Sequence, residues 1–253
     1  IVNKINKNYP QSKQIKVKNT LNFLTQCSSI FRENINAKII SITGSCGKTT
    51  LKEMIGFTLK KISRTSYSPK SFNNKYGVPL SLLNLKQNDE FGVFEVGMDK
   101  KGEIDNLSKI IKPDLGIITN ISYAHAKNFK NINLIAEAKA EIMNNIKNGG
   151  TILLNKDDNF YLSHKNYALK KKLKVISFGI MSRFAMTKLL RIKKIKNKYE
   201  LFINVNGLFV SFYSYNKNKS NIYNILATLA TINLYIDIKK LKKNIFLNFK
   251  TPK

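Results

Sequence analysis

Short apolar runs alternate along this chain with longer stretches in which apolar residues recur every three or four positions. That alternation predicts βα units arranged around a parallel sheet. Lys38 to Thr43 (KIISIT) predicts a buried strand and Lys48 to Lys61 a helix, with a glycine turn between them. Val78 to Leu85 predicts a short helix and Phe91 to Val96 (FGVFEV) a strand. A helix from Gly102 to Ile111 leads to a strand from Asp114 to Thr119, and a helix from Leu134 to Ile146 leads to a strand from Thr151 to Asn155. A helix from Phe160 to Lys172 and a strand from Lys174 to Phe178 close this region. From Arg183 to Tyr215 apolar and polar residues alternate, and Asn206-Gly207 marks the turn of an antiparallel hairpin. Helical spacing returns over Ser220 to Tyr235 and Asp237 to Phe249. Residues 1–37 are polar and rich in Asn and Lys, with a short strand at Ile15 to Val17 and a helix from Thr20 to Phe31. The fold class expected is α/β, a mostly parallel, doubly wound sheet with a smaller antiparallel section near 183–215.

Composition narrows the functional classes. With 43% hydrophobic residues over 253 positions the chain can bury a core, which excludes wholesale disorder. No apolar run approaches the ~18 residues of a membrane span. Cys27 and Cys46 are too few for a disulfide framework or a structural zinc site, which suits a reducing, cytoplasmic setting. Lys plus Arg is 44 against 15 for Asp plus Glu, a net charge of +29. Such a charge invites a polyanionic partner. Only four of the basic residues are arginines, however, and Arg is the usual reader of phosphates and base edges. Lysine is spread over the whole chain together with Asn and Ile, as a compositional bias would spread it. No nucleic-acid partner is expected.

The chemistry concentrates at Thr43-Gly44-Ser45-Cys46-Gly47-Lys48-Thr49-Thr50, between a predicted strand and a predicted helix. Glycines let backbone N–H groups turn toward phosphates, the helix N-terminus adds positive potential, and Lys48 can reach terminal phosphates. Thr49 can place its hydroxyl on Mg²⁺. The general phosphate-loop pattern wants glycine where Ile42 stands, so the match is to the shorter form T-G-S-x-G-K-T-T. Glu95 ends a predicted strand, where a carboxylate can hold a metal beside this loop, cap a helix or face solvent. His125 follows another strand end, where an imidazole can ligate a second metal or stand idle. Asn73 and Asn74 either position substrate or phosphate, or shape the turn before Gly77.

TGSxGKTT resembles the ATP loop of the Mur ligases, the amino-acid-adding enzymes of peptidoglycan synthesis. Further segments resemble the family in the same order: Asn73-Asn74-Lys75-Tyr76-Gly77-Val78-Pro79-Leu80; Phe94-Glu95-Val96-Gly97-Met98 with Gly102-Glu103-Ile104; Thr119-Asn120-Ile121 with Ala124-His125; Ala138-Lys139-Ala140-Glu141-Ile142; Asn155-Lys156-Asp157-Asp158; and Asn221-Ile222-Tyr223-Asn224. Ser220 stands where the family pattern has histidine. The member adding meso-diaminopimelate or lysine would carry a serine-rich stretch at Glu95, whereas FEVGMDKKGEI is similar to the member adding D-Ala-D-Ala.

The resemblance implies ATP bound by Gly44, Ser45, Cys46, Gly47, Lys48, Thr49 and Thr50, with Asn120 and Asn224 on the nucleotide side and Asn73 and Asn74 toward substrate. It implies two Mg²⁺ ions on Thr49, Glu95, His125 and Lys139, the last carrying a carbamate. Lys48, His125 and Lys139 would be the catalytic groups. The implied substrates are UDP-N-acetylmuramoyl-tripeptide and D-Ala-D-Ala, handled by a monomer with an acyl-phosphate intermediate. Residues 1–37 would be the remnant of a UDP-substrate domain and its connector, 38–250 the ATP-binding domain, and 251–253 the start of a linker onward. The competing classes are another Mur-type ligase, a phosphate-loop NTPase switch, and a basic nucleic-acid-binding module. The last makes a direct test possible. If the +29 charge is compositional, retention of a duplex oligonucleotide is sequence-blind and lost by about 150 mM salt; tight binding to one defined oligonucleotide in that salt would overturn it.

Overall fold

Ile39 and Ile40 are adjacent, apolar and fully buried, so the strand that carries them must be covered on both faces. The computed structural model describes residues 1–123 and 128–250, and provides that cover. A helix α1 (Thr20–Glu33) precedes strand β1 (Lys38–Thr43), then come α2 (Lys48–Leu59), β2 (Thr65–Tyr67), α3 (Gly77–Leu83), β3 (Phe91–Glu95), α4 (Glu103–Ile111) and β4 (Leu115–Ile118). The chain continues with α5 (Ile132–Ala140), β5 (Thr151–Asn155), α6 (Tyr161–Lys170), β6 (Lys174–Gly179), β7 (Thr187–Ile195), β8 (Lys198–Val205), β9 (Leu208–Ser214) and α7 (Lys219–Asn233).

The strands form one nine-stranded sheet in the order β2-β3-β1-β4-β5-β6-β7-β8-β9. Pairing is parallel from β2 to β7 and antiparallel through β8 and β9. The predicted α/β class and its antiparallel section are therefore present, but the antiparallel strands extend the main sheet and number three. Besides the Asn206-Gly207 turn there is a second at Lys196-Asn197, where both Lys196 and Asn206 adopt the left-handed backbone that such tight hairpins require. On one face Ile40 and Ile42 pack with Leu51, Met54 and Ile55 of α2 and with Ile225 and Leu229 of α7. On the other, Ile39 and Phe94 pack with Leu82 of α3, Ile104 of α4 and Ile135 of α5. Among the described residues no helix is long and apolar enough to cross a membrane.

Three predicted elements come out differently. The helix expected from Leu134 to Ile146 is α5 followed by a 3₁₀ segment, Glu141–Asn145. The stretch from Asp237 to Phe249 forms only two 3₁₀ turns, Ile238–Lys240 and Ile245–Asn248. Its apolar residues at i and i+3, Ile238 and Leu241, satisfy a 3₁₀ turn as well as an α-helix, and the chain is extended at Leu241 between the two. The strand expected at Ile15 to Val17 is a single bridge between Val2 and Lys16. β2 was not legible because three residues are too few for periodicity to register.

Helix α1 is tied to the sheet layer most extensively by Arg32, beside a Glu33–Lys112 ion pair. Arg32, only 2% exposed, donates Nε to the Ile111 carbonyl at 2.7 Å, Nη1 to Ile35 at 3.2 Å, and Nη2 to the Lys112 carbonyl at 3.0 Å and the Asp114 carboxylate at 3.3 Å. The Asp114 carboxylate also accepts the Ile39 amide of β1 at 2.8 Å. Arg32→Met keeps the bulk but strands these acceptors, and we expect a loss of about 3 kcal/mol in urea unfolding. A loss below about 1 kcal/mol would show that water replaces the guanidinium there.

Candidate active site

The loop from Gly44 to Thr50 follows β1 directly and delivers the chain into α2. Gly47 is its N-cap at φ 80°, a left-handed conformation that glycine adopts without a Cβ penalty. At Gly44 (φ 144°) a Cβ would lie 1.9 Å from the Thr119 hydroxyl, so only glycine lets the loop lie against the end of β4. That contact is extensive. Ser45 N–H donates to the Asn120 carbonyl at 2.9 Å, Cys46 N–H to Asn120 Oδ1 at 2.9 Å, and the Thr119 hydroxyl to the Cys46 carbonyl at 2.7 Å. Asn120 thus meets the loop from behind and consumes two of its amides. The amides left for an anion are those of Gly47 and of the first turn of α2, Lys48 to Thr50.

Glu95 is 1% exposed at the end of β3, level with Ile42 of β1. Its two carboxylate oxygens are gripped from opposite sides: Thr49 Oγ1 donates to Oε2 at 2.7 Å and Asn73 Nδ2 to Oε1 at 2.8 Å. The two asparagines separate here. Asn73 reaches the carboxylate, while Asn74 accepts the Tyr76 and Gly77 amides at 3.1 and 2.9 Å and starts α3. Beside them a cavity of about 590 Å³ is lined by Lys48, Asn73, Asn74, Tyr76, Met98 and Asp99. A larger cavity of about 900 Å³ opens between α4, α5 and α6 around Glu137 and Tyr167, and contains none of the loop residues.

Lys139 projects from α5 at 2% exposure and donates to the Gly44 carbonyl at 2.9 Å, an acceptor that Lys48 Nζ shares at 3.0 Å. Burial, reinforced by the Lys48 cation, pushes the Lys139 amine down to about 7. Asn224, on the first turns of α7, is buried with Oδ1 3.5 Å from where a Cβ on Gly47 would stand. Cys46 is exposed. His125 lies outside the described residues, and among those described there is no cluster of three His, Cys, Asp or Glu side chains that could hold a metal.

The geometry also recruits residues to which sequence reasoning gave no role. Asp158 accepts the Ile121 amide at 2.8 Å, and Asn155 donates to the Thr119 carbonyl at 3.2 Å, so the end of β5 braces the loop behind the phosphate loop. Glu141 accepts the Gly102 amide at 2.8 Å and the Asp105 amide at 3.2 Å, capping α4 from the end of α5. Lys52 is fully buried one turn into α2. The N-x-D-D and A-K-x-E-I patterns signalled the first two; nothing signalled the third.

A family model described as the Mur ligase middle domain matches residues 42–232. The chain belongs to the Mur ligase family. A UDP-N-acetylmuramoyl-tripeptide–D-alanyl-D-alanine ligase from Buchnera aphidicola is 38% identical over 172 residues, covering 64% of this chain and 38% of that protein. MurF from Acinetobacter baumannii superimposes with a TM-score of 0.86 at 28% identity, over 95% of this chain and 52% of that one. MurF from Thermotoga maritima, solved in complex with ADP, shares the fold with a TM-score of 0.83 at 22% identity, over 98% of this chain and 56% of that one. This Mur ligase chain therefore spans about half the length of those solved relatives, and less of the curated one.

The buried amine gives a pH signature. An unfolded lysine titrates near 10.4 and Lys139 near 7, so between those values the unfolded chain holds the extra proton and stability rises with pH. Relative to Lys139→Met, the wild-type chain should gain stability from pH 7 to 10 with a slope approaching ~1.4 kcal/mol per pH unit. Parallel profiles for the two proteins in urea titrations would refute the shift.

Proposed function

We propose that this chain is the nucleotide-binding part of an ATP-dependent ligase that adds D-Ala-D-Ala to UDP-N-acetylmuramoyl-tripeptide, the substrates in the name of its Buchnera relative. The observation that carries the reaction class is Glu95, held on both oxygens by Thr49 and Asn73 beside a phosphate loop and the low-pKa Lys139. In this reading residues 1–37 connect to a UDP-substrate domain, 38–250 bind ATP, and 251–253 lead onward. The free thiols Cys27 and Cys46 suit a cytoplasmic enzyme.

The donor set fits Mg²⁺, since a hydroxyl and a carboxylate are the hard oxygen ligands this ion prefers. Thr49 and Glu95 would hold one ion, and His125 with a carbamate on Lys139 a second. Bound there, the ions would offset charge on the phosphate oxygens. With its amine brought down to about 7, Lys139 has a substantial neutral fraction near neutral pH, which carbamate formation needs: the nitrogen would bond the carbon of CO₂ and a proton would leave to solvent. Lys48 and the amides of the α2 N-terminus would face the β- and γ-phosphates of bound ATP. The tripeptide carboxylate attacks the γ-phosphorus and ADP departs. The dipeptide amine then attacks the acyl carbon, phosphate leaves and the amine loses its proton. In this reading the cavity walled by Asn73, Asn74 and Tyr76 would take the acceptor, and positioning there would be the protein's main contribution.

A switch-type NTPase needs an aspartate at a strand end beside the phosphate loop. Asp114 instead precedes β4 and is engaged by Arg32 and the Ile39 amide.

The expected outcome for Lys48→Ala is an ATP affinity lowered about a hundredfold in calorimetry, with an unchanged circular dichroism spectrum; equal affinity would remove the loop from the site. With ¹³C-bicarbonate, a carbamate carbon signal should appear and be missing in Lys139→Met. In the chain extended to the length of its relatives, ATP, Mg²⁺, UDP-N-acetylmuramoyl-tripeptide and D-Ala-D-Ala should give ADP, phosphate and the pentapeptide by mass spectrometry. Equal product with single amino acids in place of the dipeptide would point to another Mur-type ligase.

A further inference from the structure

Lys52 is a lysine with no exposed surface, and a buried amine is costly unless it is paired. It sits on α2 one turn beyond Lys48 and Thr49. Its Nζ pairs with the Glu53 carboxylate at 3.0 Å and donates to the main-chain carbonyl of Lys70. Lys70 is itself held at φ 45°, a left-handed conformation that a side chain disfavours. Three residues later the same loop supplies Asn73, whose amide grips Glu95 and whose carbonyl accepts the Gly97 amide at 2.8 Å. The loop then turns through Asn74 into α3 and walls the acceptor cavity with Tyr76.

We propose that Lys52 is a positioning residue, tethering the Lys70–Tyr76 loop to the phosphate-loop helix so that Asn73 stays on Glu95. Helix α2 then governs both oxygens of that carboxylate, one directly through Thr49 and the other through Lys52 and the loop. The phosphate-side and acceptor-side halves of the site are held in register by a single rigid helix. Lys52 touches no reacting atom; it acts through Asn73.

The structural half of this inference is independent of the ligase reading, and its test is amide exchange in the chain as it stands. Val96 donates to Ile42 inside the sheet and Gly97 donates to Asn73 of the loop, so the two neighbouring amides report separately. In Lys52→Met, Gly97 should exchange about tenfold faster while Val96 is unchanged. Glu53→Gln, which removes the ion pair but keeps the tether, should leave Gly97 at its wild-type rate. Unchanged Gly97 exchange in Lys52→Met, or equal acceleration at both amides, overturns the proposal. If Lys52→Met does not fold, two glycines inserted between Lys70 and Ser71 decide the matter. They keep the tether but uncouple it from Asn73, so Gly97 alone should speed up, and wild-type exchange there overturns the proposal. The functional half rests on the ligase reading. In the extended chain Lys52→Met should lower kcat about tenfold with the KM for ATP within about twofold of wild type. Loss of ATP affinity instead would assign Lys52 to the fold of α2; a failure of the ligase reading would appear in the wild-type chain as no product.

Discussion

A carboxylate buried at a strand end is unstable unless both oxygens are satisfied, and at Glu95 the two donors come from different parts of the chain. Thr49 arrives from the helix that follows the phosphate loop, and Asn73 from the loop that leads into α3. The parallel register of β1 and β3, with Ile42 opposite Glu95, sets the carboxylate level with the start of that loop. Because the hydrogen bonds are short and the group is desolvated, helix, loop and strand are locked to one another at the point where a cation and a phosphate would meet.

Around this centre the strand ends act as a row of braces. Thr119 and Asn120 support the phosphate loop from the end of β4, and Asn155 and Asp158 support that segment from the end of β5. Asp157 continues the row by accepting the amides of Ile180, Met181 and Ser182 and the Tyr223 hydroxyl, which binds α7 to the end of β6. The surrounding dipoles and hydrogen bonds hold the Asp157 carboxyl below its ordinary range, against the effect of burial. A loop that must present its amides to an anion without rearranging gains from such bracing, since preorganised donors cost no reorganisation during reaction.

Lysine plays opposite parts in this chain. Most of its lysines are solvated and carry the compositional charge. Lys52 and Lys139 are buried, and Lys48 half-buried, around one short loop and one helix. Lys48 and Lys139 share the Gly44 carbonyl, and burial first and the neighbouring Lys48 cation second bring the Lys139 amine down to about 7. Proximity of like charges and burial work in the same direction there.

The strand, glycine turn and helix from Lys38 to Leu59 were legible because each is local: β-branched apolar residues for the strand, glycines for the turn, and helical spacing beyond it. Element type carried over for most of the chain; lengths failed where an i, i+3 pattern suits two kinds of helix, as after Asp237. The site was legible as motifs but not as roles. Asn73 and Asn74 are the same residue type side by side, and only the path of the backbone aims one at Glu95 and the other at α3. Lys139 is one lysine among forty until folding brings it to Gly44, 95 positions earlier, and strips its water. Asn120 reads as a nucleotide contact, yet its amide oxygen is taken by Cys46. Local periodicity specifies an element because neighbouring residues settle it, whereas burial, charge proximity and the direction of a side chain arise only when distant segments meet.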